Sequence, residues 1–308
     1  MKNIWSLSSE LHVHGLMFLS IILAASSFPI GAEITNELPP EIMMFLRFSF
    51  AAALFAPFIY YRYGLSLPSV KMFKRYIILS IPLAVFFWCM FESLRYTSVI
   101  NTGALYTTVP AITSACALLI NREVTGKIRS LGLFLGTVGA LWIVFRGDVN
   151  AVIALQFNYG DLIFLTGCFF LGFYNPLVKK FYAGEPMEVM TFWILLCGSL
   201  WLFAASVNGI SDIDWPGIEY TVFGGLLYLS LFSTLITFFL LNYSTVRLGA
   251  TKVAAYGFLT PIFVILISIP TGIEKFEPII LPGLLIIVVS MFLIQRGQQT
   301  NTISVNKC

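Results

Sequence analysis

The sequence predicts an all-α, polytopic membrane protein of ten transmembrane helices, arranged as two inverted five-helix repeats over residues 1–148 and 149–308. Three observations carry that prediction. The chain is 58% hydrophobic and only 11% charged, where a soluble domain carries about 25% charged residues. Apolar stretches of helical length follow one another with short connections. Finally, the layout Pro110 to Glu123 recurs as Pro261 to Glu274, each proline standing 13 residues before its glutamate. With a mean hydropathy of +0.88, the chain lacks the polar side chains to clothe a soluble surface, so lipid must cover most of its exterior.

Crossing an apolar layer of about 30 Å takes roughly 20 helical residues. The first run of that length, residues 14–33, follows a segment holding Lys2 and Glu10. Its length and late start favour a retained helix over a cleaved leader, although Gly31-Ala32 is a faint small-residue site. The second run, 42–61, carries Arg47, and the third, 75–95, carries Glu92. The fourth, 100–120, contains Pro110 and stops on Asn121-Arg122-Glu123. In the fifth, 127–145, Gly132, Gly136 and Gly139 form a small-residue face suited to helix packing within a monomer or a dimer. The remaining runs are 159–178, 188–207, 220–242, 251–270 and 279–295. The longest connections, Arg146 to Asn158 and Asn208 to Glu219, leave no room for a soluble domain.

Charge supports this count. With a cytoplasmic N-terminus, 14 of the 18 Lys and Arg fall on the inner side, including Lys71, Lys74, Arg75, Lys179 and Lys180. The acidic clusters Glu33/Glu37/Glu41 and Asp212/Asp214/Glu219 then fall outside. Both termini are expected in the cytoplasm, and the membrane is expected to be the inner (plasma) membrane.

Several classes recede. The net charge of +3 is too small to suggest a nucleic-acid partner. Cys89, Cys116, Cys168, Cys197 and Cys308 sit singly, without metal-ligand spacing, and read as packing residues. No cofactor or metal is expected. Neither His12 nor His14 lies mid-membrane, and no paired carboxylates or HExxH-type set appears, so no catalytic residues are assigned and an enzyme is disfavoured.

The repeat has a mechanical meaning. At an offset of 151, Pro110 aligns with Pro261, Glu123 with Glu274 and Gly132 with Gly283, while early spans fit nearer 145–147. Five spans per half means that the second half enters from the opposite side. Halves related in this way can exchange conformations and open one central cavity to each side in turn. Channels use the same device, so that reading stays open.

The motifs "LRFSFAAALF" (Leu46–Phe55), "FESLRYTSVINTGALYTTVPAITSACALLINREVTG" (Phe91–Gly126) and "NYSTVRLGATKVAAYGFLTPIFVILISIPTGIE" (Asn242–Glu274) resemble the EamA family of the drug/metabolite transporter superfamily. The likeness covers nearly the whole chain. The second half lacks an arginine equivalent to Arg47, and Ser93 and Asn121-Arg122 replace common family residues. The resemblance implies a cavity lined by spans 1, 3, 4, 6, 8 and 9, with spans 5 and 10 peripheral. It also implies a secondary transporter of a small organic metabolite, with export by alternating access as the leading reading. An importer of a nucleotide-like or other metabolite, and a channel or sensor on the same scaffold, are the alternatives.

Residue spacing supplies candidates independently. Ser230, Ser233, Thr234 and Thr237 form one polar stripe on span eight, Thr102 and Tyr106 share a face of span four, and Tyr256 and Thr260 share one of span nine. Such stripes face a bundle interior or simply pack. Trp88, Tyr106, Tyr174, Tyr228 and Tyr256 are the aromatic cavity candidates, while Phe55 and Phe58 are expected to face lipid. A hydroxyl- and aromatic-rich cavity suits a small amphipathic solute such as an amino acid better than a polyanionic nucleotide. Arg47 and Glu92 stand at similar depth and could pair; a structural ion pair, snorkelling, gating and proton linkage are all open roles. Pro110 and Pro261 each free a carbonyl about four residues earlier, which would allow a bend and expose polar backbone to a cavity. The expected partners are therefore a small-molecule substrate and membrane lipids, with proton coupling an option, in a monomer or homodimer.

Overall fold

The computed structural model describes residues 4–64, 66–124, 126–150 and 157–296. Among them the fold is all-helical. Nine helices are long and apolar enough to cross a membrane, and a shorter apolar one completes the set. In chain order they are α1 (Ile4–Ala25 continued by Ser27–Ile34), α2 (Pro40–Tyr63), α3 (Val70–Ser93), α4 (Val99–Asn121), α5 (Lys127–Val144), α6 (Tyr159–Phe181), α7 (Met187–Ser206), α8 (Tyr220–Leu248), α9 (Ala250–Ser268) and α10 (Leu281–Arg296).

Helix starts follow local chemistry. Ser69 caps α3, its Oγ accepting the Met72 N–H at 3.4 Å, so the helix begins five residues before the apolar run does. Asn158 and Asp161 form a reciprocal capping box on α6, with bonds of 2.7 and 3.2 Å. α8 runs six residues past its expected end because Asn242, Ser244 and Thr245 are fully buried. Those polar side chains face protein, so hydropathy alone misreads them as a boundary.

Packing repeats the sequence symmetry. α5 lies along α10 and α2 along α7, pairs that map onto themselves when the halves are exchanged. α3 packs on α6 as α8 packs on α1, and α4 packs on α6 as α9 packs on α1. The fold is thus two inverted five-helix repeats. The small-residue face of α5 is used within the monomer: a Cβ on Gly139 would sit 2.8 Å from the Gly283 carbonyl oxygen of α10. Leu54, Phe134, Phe169, Leu200 and Leu285 point outward, as lipid-facing side chains should. Phe58 joins them at 46% exposed, as expected, whereas Phe55, expected beside it, is buried at 7%.

Candidate functional site

Both proline helices are interrupted at matched positions. α4 tightens into a 3-10 turn over Tyr106–Thr108 and α9 does so over Ala255–Leu259, each just before its proline. The turns change the expected outcome of the prolines. Val109 N–H donates to the Tyr106 carbonyl, and Thr260 N–H donates to the Gly257 carbonyl. The carbonyls released by Pro110 and Pro261 are therefore taken up within the helix, as tightened turns in membranes allow, and are not offered to a cavity. The two turns also meet. A Cβ on Gly257 would lie 3.0 Å from Cε1 of Tyr106, so a side chain there would push the Tyr106 ring aside by a few tenths of an ångström.

Tyr106 closes one side of a central cavity. Ser20 and Ser27 of α1 and Ser233 and Thr237 of α8 supply hydroxyls. Phe86, Phe87 and Met90 of α3, with Leu171 of α6, form the apolar side. α8 carries Ser233 and Thr237 where α3 carries Pro82 and Phe86, but α1 and α8 also contribute Ile21, Phe28, Phe238 and Leu241, so the lining is mainly apolar with a few hydroxyls. Residues at the repeat offset line the cavity together: Phe86 with Thr237, Phe87 with Phe238, and Met90 with Leu241. Lining residues come from α1, α3, α4, α6 and α8, while α5 and α10 stay outside. α9 approaches only through Gly257 under Tyr106.

The α8 stripe does not act as one face. Leu231–Ile236 winds as a π-helix, a rare form that recurs at functional sites. Thr237 Oγ1 accordingly donates to the Phe232 carbonyl five residues back, at 3.0 Å. Ser230 Oγ turns onto its own helix at the Leu226 carbonyl, 2.6 Å away. Ser233 Oγ reaches across to the Leu23 carbonyl of α1 at 2.9 Å. Thr234 Oγ1 accepts from Arg47 Nε at 2.6 Å, and Arg47 Nη2 donates to the Ser233 carbonyl at 3.2 Å.

Arg47 is fully buried. Its guanidinium lies 4.3 Å from the centre of the Phe87 ring and 5.4 Å from that of Phe91. Its Nη1 has no hydrogen-bond partner among the described residues. The pairing of Arg47 with Glu92 does not occur. Glu92 instead sits 3.7 Å from Arg95, three residues on and just past the end of α3, while Arg95 also ties down the Thr35 and Leu38 carbonyls at 2.8 Å each.

The other candidates make their contacts away from this cavity. Trp88 is 38% exposed, with Nε1 directed at Glu41 at 3.4 Å. Tyr174 is buried and donates to Asn242 Oδ1 at 2.9 Å, and Asn242 Nδ2 reaches Thr191 at 3.0 Å, linking α6, α8 and α7. Tyr228 meets Ser26 Oγ at 3.1 Å, and Tyr256 bonds His14 Nδ1. Thr102 bonds its own helix at the Val99 carbonyl, and the buried Thr260 Oγ1 finds no partner among the described residues. Of the residues singled out by spacing, the cavity gathers Tyr106, Ser233 and Thr237. Ser20, Ser27, Phe87 and Phe238 escaped notice, although the 151-residue offset links the last two.

A second, polar recess lies at the start of α4, among Ser98, Asn101, Arg146, Glu274 and Glu277. There Glu274 Oε1 accepts the Val99 N–H at 3.0 Å, and Arg146 pairs with Glu277 at 2.9 Å. At the corresponding turn of the first repeat, Glu123 pairs with Lys179 at 2.6 Å.

Comparison with known proteins agrees with this architecture. The model of the EamA-like transporter family matches residues 13–145 and again 158–296. The uncharacterized transporter YyaM of Bacillus subtilis (strain 168) is 23% identical over 267 residues, covering 85% of this chain and 87% of that protein. An uncharacterized transporter of Archaeoglobus fulgidus is 24% identical over 252 residues, covering 81% and 86% respectively. One crystal structure superposes with a TM-score of 0.69 at 15% identity, over 90% of this chain and 94% of the other, a likeness of fold.

Proposed function

The chain belongs to the EamA-like transporter family, and from that premise we propose that it is a secondary carrier, not an enzyme. It moves a small amphipathic metabolite, of amino-acid size, outward across the plasma membrane by alternating access. Residues 1–148 and 149–308 act as the two exchanging halves, with both termini in the cytoplasm.

One observation carries the reading. The central cavity is walled by residues that occupy equivalent places in the two repeats, Phe86 with Thr237, Phe87 with Phe238 and Met90 with Leu241. A cavity astride the pseudo-two-fold axis is what both halves can open in turn by trading conformations. A mainly apolar, aromatic lining with a few hydroxyls from α1 and α8 suits a solute with an apolar body and a small polar part. Outward direction follows family analogy alone.

Counterflow in proteoliposomes tests the proposal. Saturable exchange of a preloaded solute against its labelled form is expected. Large flux without saturation would make the protein a channel, and uptake against a gradient in oriented vesicles would reverse the direction.

A further inference from the structure

We propose that Arg47 is the recognition point for a carboxylate on the carried solute, so that substrates are small monocarboxylates with an apolar body. This inference rests on the carrier reading and adds the chemical class to it.

The argument begins with an electrostatic imbalance. Arg47 lies in the first third of α2 with none of its surface exposed, and no acidic side chain pairs with it among the described residues. Its surroundings are Thr234 Oγ1, the Ser233 carbonyl and the faces of two phenylalanines. These neutral partners satisfy two of its nitrogens and leave Nη1 without an acceptor. A buried charge without a counter-ion is costly, and inside a membrane such groups face a pathway and mark what moves along it.

Position supplies the link to the cavity. Phe87 and Ser233 both touch the guanidinium and both line the cavity, so one layer of side chains separates the charge from the solute space. Rotation of the Phe87 ring removes that layer on one side. The backbone that holds Arg47 from the other side is the π-helical stretch of α8, which turns the Ser233 carbonyl and the Thr234 hydroxyl onto the same guanidinium. Arg fixes a carboxylate through charge-assisted hydrogen bonds from its planar donors, and a carboxylate oxygen entering past Phe87 meets the free Nη1–H. The apolar body then lies against Phe86, Phe238 and Met90, with Ser20 and Ser27 across from it for any amino or hydroxyl group. One cation matches one negative charge, which sets a monocarboxylate apart from phosphate-rich solutes.

The test compares acids with their primary amides: the proteinogenic amino acids, 2-oxo acids and 2-hydroxy acids of three to nine carbons, each beside the matching amide. Thermal unfolding of the purified full-length protein is the readout. At least one acid is expected to raise the wild-type midpoint, with its amide binding roughly thirtyfold weaker or worse, the ordinary cost of removing one partner of a buried charged pair. Arg47→Gln should abolish the shift, and Arg47→Lys should leave a reduced one. Because Arg47 also holds α2 to α8, the acid-against-amide comparison on the unaltered protein decides the matter if Arg47→Gln fails to fold. Equal stabilisation by acid and amide, no acid stabilising the protein, or a folded Arg47→Gln that keeps the shift would each overturn the assignment. Saturable counterflow of a solute without a carboxylate would sink this assignment and leave the carrier standing; absence of saturable exchange for every solute would sink the carrier itself.

Discussion

Phe87 and Phe238 occupy the same place in the two repeats, 151 residues apart, and their rings meet edge to face with centroids 5.5 Å apart. Equivalent residues can touch only where the axis relating the halves passes between them. The contact therefore places that axis through the cavity both residues line. Aromatic pairs of this geometry contribute about 0.5–1.5 kcal/mol beyond their burial. A double-mutant cycle of Phe87→Leu and Phe238→Leu, read by thermal unfolding, is expected to give a coupling in that range. Additive effects would mean that the rings pack independently.

Tyr106 and Gly257 make the second such contact, again 151 residues apart. Gly257→Val forces the Tyr106 ring to move and should cost about 1–3 kcal/mol, the usual penalty of overpacking. Adding Tyr106→Ala should recover most of that loss and, since Tyr106 lines the cavity, should change solute preference. If the double variant is no more stable than Gly257→Val alone, the crossing of the two turns is not where the strain falls.

Tyr174 provides a control outside the cavity. Its hydroxyl serves the Asn242–Thr191 chain between helices, so Tyr174→Phe should cost about 0.6 kcal/mol, a typical value for a hydrogen bond between membrane helices. Counterflow should be unchanged. A loss of exchange with stability preserved would return Tyr174 to the transport pathway.

The repeated glutamates differ in their partners. Glu274 accepts the first N–H of α4, whereas Glu123 binds Lys179 and leaves the equivalent residue, Ala250 at the start of α9, without it. The opposite-facing state is expected to exchange these roles, with Glu123 docked on α9. Glu274→Ala removes a cap worth about 0.5–2 kcal/mol from one state. Glu274→Ala and Glu123→Ala should therefore shift the access equilibrium in opposite directions, seen as opposite changes in side-specific labelling of the cavity. Shifts in the same direction would contradict a paired latch.

Much of this fold was legible in the sequence because a membrane demands long apolar helices and the repeat offset carries the symmetry. The site was less so. Ser230 was assigned with Ser233 and Thr237 by assuming an even 100° per residue, and the π-helical turn breaks that spacing. Trp88 and Tyr174 belong to helices that line the cavity and Tyr256 to α9, which does not, and their partners Glu41, Asn242 and His14 come from distant parts of the chain, which spacing along one helix does not reveal. Arg47 stands out as an intramembrane charge, but Glu92, which could have paired with it, is held by Arg95 just beyond the end of α3. Applying the offset to the cavity-lining positions would have found Phe87 and Phe238 from sequence alone.

Access to the axis from both faces is the most direct test. A single cysteine at Thr237, in a background with the native cysteines replaced, is exposed to a membrane-impermeant maleimide on either side of sealed, oriented vesicles. The account predicts labelling from both sides, with a saturating transported solute protecting the cysteine from each. Labelling from one side alone under every condition, or protection on one side without the other, would contradict alternating access through this cavity.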